Sequence, residues 1–260
     1  MKNSKCILLC GFGSGGPRIE AEFTTLVHKF KKRYPSLLVS YGFLEFSSPS
    51  LYDAIDDLYV KGGRDIVAIP VSLFPGVHLK FDMPQQLEDI AVKYDDLSLR
   101  LAQSVGVCDH LIHLGEKLVG NAEGDSCRDR KDTCLVGLGV GASLPDVNAD
   151  VAKLTRLVME NSTFGFCMNG FISQLSYPGL NQVMDIVERL PFKKVVFMPF
   201  VMFSDVLMTK VQSKVDEFGK HSDKTYYVTG LMGGDDLIFE ALNDRLCQVV
   251  CSEWSEMICA

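Results

Sequence analysis

Cys6–Pro17, CILLCGFGSGGP, lies residue for residue over Cys134–Pro145, CLVGLGVGASLP, with the cysteines, Gly11/Gly139, Gly13/Gly141 and Pro17/Pro145 in register. A short apolar run, a Gly-x-Gly turn and a proline read as a strand, a tight turn and the first position of a helix. The match continues outward: Ile66–Phe74 (IVAIPVSLF) overlays Val195–Phe203 (VVFMPFVMF), and Asp109–Ile112 overlays Asp235–Ile238. Order and spacing persist, so the chain is two diverged copies of one unit, about 130 residues apart. The polar, aperiodic stretch Asn121–Asp132 between them reads as a linker.

Each copy alternates strand and helix. In the first, Cys6–Gly11 is a strand, Pro17–Arg33 a helix with Ile19, Phe23, Leu26, Val27 and Phe30 at helical spacing, and Leu37–Phe43 a strand. Ser50–Lys61 is a helix with Ser50 as N-cap and Asp53 at the capping-box position. Strand Asp65–Pro70, helix Met83–Lys93, strand Leu97–Gln103 and helix Asp109–Val119 follow. The second copy has helix Pro145–Glu160, a strand near Thr163–Cys167, a helix ending at Arg189, strand Lys194–Pro199 and helices Asp205–Gly219 and Asp235–Glu253. The expected fold is α/β: two similar, doubly wound parallel-sheet domains, residues 1–120 and 133–260 joined by linker 121–132, with a cleft between them. In such sheets ligands sit beyond the carboxyl ends of the strands.

Composition narrows the function. The 260 residues carry 26 Lys+Arg against 33 Asp+Glu, a net charge of −7, with no basic run, which argues against nucleic acid and anionic membrane as partners. The longest apolar run, Val195–Phe203, contains Pro199 and is too short for a membrane helix, and the run behind Lys5 is too short for a signal peptide. Nine scattered cysteines fit reduced thiols in a cytoplasm better than a disulfide frame.

The loops after the first three strands hold the candidate residues. Gly11–Gly16 (GFGSGG), opening a helix, offers backbone N–H groups to a carboxylate or phosphate, although glycine turns are as readily structural. His78 stands in the loop after the third strand, where an imidazole can bind a divalent metal or carry a proton; a lone histidine can equally be structural. Glu45 ends the second strand, where an apolar surround would raise its pKa and suit it to accept a proton; capping the helix near Ser50 is the alternative. His110 and His113 share a helix face without completing a metal set, and Cys247 and Cys251, one turn apart, with Cys259 beyond, lack the spacing of a zinc or redox site.

Together, the Gly-x-Gly-Ser turn at Gly11–Ser14, Tyr41–Phe46 (YGFLEF) and Pro70–Pro84 (P-x-x-L-F-x-x-x-H-x-K-x-D-x-P) resemble the class II chelatases, the sirohydrochlorin cobaltochelatase and ferrochelatase family. Gly139–Leu154 (GVGASLPDVNADVAKL) is similar to the start of the second half of the long, two-domain members. The resemblance implies insertion of Co2+ or Fe2+ as substrate metal into sirohydrochlorin, for cobalamin or siroheme synthesis, with no organic cofactor. It implies His78 as metal ligand, Glu45 as the acid–base residue near the substrate, and Gly13, Ser14 and Lys80 as contacts for substrate carboxylates. A duplicated chain of this kind would replace a dimer of single units. The family's second histidine belongs where this chain has Phe12, and Val140 and Leu207 occupy the positions equivalent to Phe12 and His78 in the second copy. Phe12 can stack on a tetrapyrrole but cannot ligate a metal. A non-catalytic tetrapyrrole- or metal-binding descendant is therefore the alternative to an active enzyme.

Overall fold

The structure is a computed structural model, and it describes residues 4–13, 16–124, 129–203, 206–250 and 254. These described residues form two four-stranded, all-parallel sheets and eight α-helices. In the first sheet β1 (Ser4–Gly11) lies between β2 (Leu38–Phe43) and β3 (Gly63–Pro70), with β4 (Ser98–Leu101) at the edge beside β3. The second repeats the order: β5 (Arg130–Gly139) between β6 (Phe164–Phe171) and β7 (Lys194–Pro199), then β8 (Thr225–Val228). The strand in the middle of each sheet is the apolar run that opens each repeat, because a strand covered on both faces must be apolar at every position. Cys6–Cys10 and Cys134–Val136 are accordingly buried.

Alternation of side chains along β1 distributes the core of the first sheet. Cys6, Leu8 and Cys10 meet Leu51, Ala54, Ile55 and Leu58 of α2 (Leu51–Val60) and Met83, Leu87 and Ile90 of α3 (Met83–Ala91). Phe23, Leu26, Val27 and Phe30 form the buried stripe of α1 (Pro17–Arg33), whose Phe23 ring rests on Phe43 of β2 at 5.0 Å. The expected capping box of α2 is present: the Asp53 N–H donates to Ser50 Oγ (3.1 Å) and the Ser50 N–H to Asp53 Oδ2 (3.2 Å). In the second sheet α6 (Leu180–Arg189) and α7 (Val206–Gly219) cover one face through Val183, Val187, Val211 and Val215. α5 (Pro145–Asn161) follows β5 as α1 follows β1.

Three features differ from the sequence reading. At both ends of the expected linker 121–132 the regular elements reach further than expected: α4 (Asp109–Glu123) runs to Glu123 and β5 starts at Arg130, whose guanidinium pairs with the Glu123 carboxylate, while residues 125–128 lie outside the described residues. Second, β8 was not expected. Third, the compact units do not follow the repeats. One is Met1–Gly106 with Ile238–Ala260, the other Val107–Leu237. α4 therefore packs with the second sheet, where a Cβ on Gly115 would meet Val158 of α5 at 2.6 Å. α8 (Asp236–Val249) packs with the first. Phe239 meets Phe30 at 4.8 Å, Asn243 accepts a hydrogen bond from Tyr34, and Arg245 donates two to the Val105 carbonyl (3.1 and 2.6 Å). Trp254, buried in the same unit, donates from Nε1 to Asp65 (2.7 Å).

Candidate active site

At the carboxyl end of the first sheet three loops converge. The chain leaves β1 at Gly11 and turns through Gly13, whose φ of +95° is open to glycine at little cost. A Cβ there would lie 1.8 Å from the Glu45 carbonyl oxygen, so glycine is required twice, for conformation and for space. That closeness lets the loop after β1 pair with the loop after β2: Leu44 N–H donates to Gly11 O and Glu45 N–H to Phe12 O, both at 2.9 Å. The sheet ladder is thereby extended past its last strand residues and the Phe12 and Glu45 backbones are fixed together.

The third loop delivers His78. Val71 N–H donates to the Cys10 carbonyl (2.8 Å), tying the exit of β3 to β1, and Val105 and Gly106 N–H donate to Ser72 and Leu73 carbonyls. After Gly76 the chain forms a π-helical turn, His78–Asp82, running directly into α3. π-Turns of this kind are rare and concentrate at functional sites. The i, i+4 spacing sets His78 Nδ1 2.6 Å from Asp82 Oδ2, with both side chains about half exposed. A carboxylate can only accept, so Nδ1 donates, and in the neutral imidazole Nε2 is then the nitrogen with a lone pair for another partner. The Phe12 ring lies against the imidazole, centroids 4.6 Å apart and tilted 41°, and Phe46 approaches Phe12 edge-on at 5.9 Å.

Phe12, Gly13, Glu45 and His78 thus come together in the first compact unit, and Lys80 lies half-buried in the turn that carries His78. Ser14 lies outside the described residues, as do Cys251 and Cys259; Cys247 is half-buried on α8. One expectation is corrected: Glu45 is exposed rather than set in an apolar surround, because the chain turns outward directly after Leu44. Its alternative role as a cap is filled by Ser50 with Asp53. Among the described residues no group of three or more His, Cys, Asp or Glu side chains is placed to hold a metal ion, so His110 and His113 form no such set. Asp82 was missed as a partner of His78, although its i+4 spacing was visible; Phe46 was missed as a site residue, although it ends the Tyr41–Phe46 motif.

The corresponding corner of the second unit is closed on itself. Gly141 repeats the left-handed turn at φ +98°. The next amide, Ala142 N–H, reaches Asn148 Oδ1 (3.1 Å) and Ser176 Oγ (3.2 Å), while Asn148 Nδ2 returns to Ala142 O (2.8 Å). Val140, Ser173 and Leu207 stand where the first unit has Phe12, Glu45 and His78, which leaves neither imidazole nor carboxylate there. A cavity of about 570 Å3 lined by Ser173, Tyr177, Asn181 and Lys210 lies in this half.

The family model described as CbiX matches residues 6–122 and again residues 134–249. The chain belongs to the CbiX family. The two matches also coincide with the two sequence repeats, and they bear out the resemblance to the sirohydrochlorin chelatases, making the chain an enzyme of that kind. Among CbiX relatives, the sirohydrochlorin cobaltochelatase of Priestia megaterium is 28% identical over 244 residues, 93% of this chain and 78% of that protein. The sirohydrochlorin ferrochelatase of Bacillus subtilis (strain 168) is 21% identical over 222 residues, 85% of this chain and 83% of that one. The solved structure of SirB from Bacillus subtilis with Fe3+ superposes at a TM-score of 0.85 with 18% identity, covering 98% of this chain and 99% of SirB; it shows the fold.

Proposed function

We propose that this chain inserts Co2+ or Fe2+ into sirohydrochlorin, with His78 as the residue that carries the metal and Glu45 as the proton acceptor. The observation that carries the reading is the held imidazole: Asp82 occupies Nδ1, which leaves Nε2 of His78 for a metal, and the ring lies against Phe12, whose carbonyl accepts the Glu45 N–H. The relatives' activities, cobalt and iron insertion into the same macrocycle, supply the reaction class. The chemistry balances simply. The divalent ion exchanges its bond to Nε2 for bonds to the pyrrole nitrogens, and two N–H protons leave the macrocycle. A single imidazole binds the ion weakly enough to release it, which a substrate metal requires and a resident one does not. Glu45, exposed next to Phe12, can take a proton and pass it to water. Gly13, Ser14 and Lys80 complete the reading as contacts for substrate carboxylates. The buried, unpaired thiols Cys6, Cys10 and Cys134 support a cytoplasmic setting. No described helix is long and apolar enough to cross a membrane.

One observation favours a second reading. Phe12 fills the place of the family's other histidine and leans on His78, so the protein could bind the macrocycle without turnover. Anaerobic absorbance spectroscopy of sirohydrochlorin with Co2+ or Fe2+ separates the two. Multiple turnover by the native chain, falling about a hundredfold or to background in His78→Ala, is the expected result. A spectral shift on binding without turnover, with turnover appearing in Phe12→His, would establish the second reading.

A further inference from the structure

We infer that Phe46 is a binding contact for the apolar face of the tetrapyrrole; the inference rests on the function proposed above and gives a role to the last residue of the Tyr41–Phe46 stretch, to which the resemblance assigns none. Phe46 sits at the centre of a three-residue turn in which the Ser47 N–H donates to the Glu45 carbonyl (2.7 Å), and its φ is +55°. Left-handed backbone of this kind is rare for residues other than glycine, asparagine and aspartate, and a turn closed between residues i and i+2 at positive φ is a strained one. The strain wins no burial, for Phe46 is 72% exposed. Its one described ring contact is the edge-on approach to Phe12. Glycine would satisfy this backbone and spare the solvent an aromatic ring, so nothing in the folded chain alone accounts for phenylalanine here. Strained, exposed apolar residues of this sort persist where a ligand covers them.

Position identifies the ligand. Phe46 follows Glu45 directly, and the rings of Phe46, Phe12 and His78 succeed one another at 5.9 and 4.6 Å, so an apolar surface begins at Phe46 and ends at the imidazole. The chemistry that meets such a strip while presenting nitrogens to His78 is a conjugated macrocycle with an apolar face and a charged rim.

The test compares Phe46→Gly and Phe46→Tyr with the native chain in thermal melts, in titration with metal-free sirohydrochlorin followed by absorbance, and in steady-state metal insertion. Phe46→Gly is expected to melt at or above the native temperature and to bind the macrocycle about tenfold more weakly, raising KM with kcat little changed. Phe46→Tyr is expected to keep native affinity. Equal binding by Phe46→Gly, or a lowered melting temperature showing that the ring holds the loop, would overturn the inference while the proposed function stood. A native chain that failed to bind sirohydrochlorin would overturn both.

Discussion

Gly13 and Gly141 have nearly the same backbone, φ +95° and +98°, yet alanine should be tolerated very differently at the two. At both, a left-handed alanine costs about 1–2 kcal/mol. At Gly141 the new methyl meets the Ser173 hydroxyl at 2.6 Å, the end of a side chain that can rotate away for the loss of one long bond to Leu175 N–H. The total there stays near ~2 kcal/mol. At Gly13 the methyl meets the Glu45 carbonyl oxygen at 1.8 Å and its carbon at 2.9 Å, and backbone cannot rotate aside. The two loops must separate by more than an ångström, breaking the Glu45-to-Phe12 hydrogen bond and weakening the neighbouring one from Leu44, each worth about 0.5–1.5 kcal/mol. Gly13→Ala should therefore cost about 4 kcal/mol and displace Glu45 from Phe12 and His78. Trp254, the single tryptophan, is buried in the unit that holds Gly13, so its fluorescence in a guanidinium titration reports that unit, while circular dichroism follows both. Metal insertion should be lost in Gly13→Ala and kept in Gly141→Ala. Equal destabilisation by the two, or full activity in Gly13→Ala, would refute the argument that the close backbone approach builds the site.

Two further outcomes follow from the side chains. Asp82→Asn, which can pair with His78 Nδ1 as donor as well as acceptor, should mix the imidazole tautomers in 15N spectra and weaken Co2+ binding about tenfold; an unchanged tautomer and affinity would show that Asp82 does not orient the ring. Burial, reinforced at Cys6 by the Asp65 charge and at Cys134 by Cys167, pushes both thiols up to about 12, and full burial raises Cys10 as well. Since an unfolded thiol ionises near 9.0, these groups stabilise the fold below that pH and lose the contribution as pH climbs towards 12. Native protein at pH 9 should leave all three unlabelled by iodoacetamide, read by peptide mass spectrometry, until denaturant is added; labelling at the native rate of an exposed thiol would contradict their burial.

What could be read from the sequence was what local chemistry decides. The glycine turns, the stripe from Phe23 to Phe30 and the Ser50/Asp53 box each specify a short segment unaided, and the repeat multiplied that information by two. β8 escaped because Thr225–Val228, TYYV, lacks the apolar–polar alternation that marks β4, equally short, within Leu97–Gln103. The turn at His78–Asp82 was expected as a loop, since π-helical hydrogen bonding has no residue signature. Packing partners were not legible either: the apolar stripe of α4 says that it must be covered, not which sheet covers it. At the site, His78 and Glu45 announced themselves by residue type, whereas Phe46 occupies a conformation that sequence reasoning reserves for glycine.

The passage of α8 into the first unit bears on how the protein is made. A ribosome releases the strands of the first sheet early, yet Phe30, Tyr34 and the Val105 carbonyl wait for Phe239, Asn243 and Arg245. At roughly 5–20 residues per second the roughly 130 intervening residues take on the order of ten seconds to appear. The second unit, Val107–Leu237, is continuous in sequence and can close before them. The half that carries His78 is thus finished last, and during that interval the Phe30 and Tyr34 end of α1 is the surface that a chaperone would find.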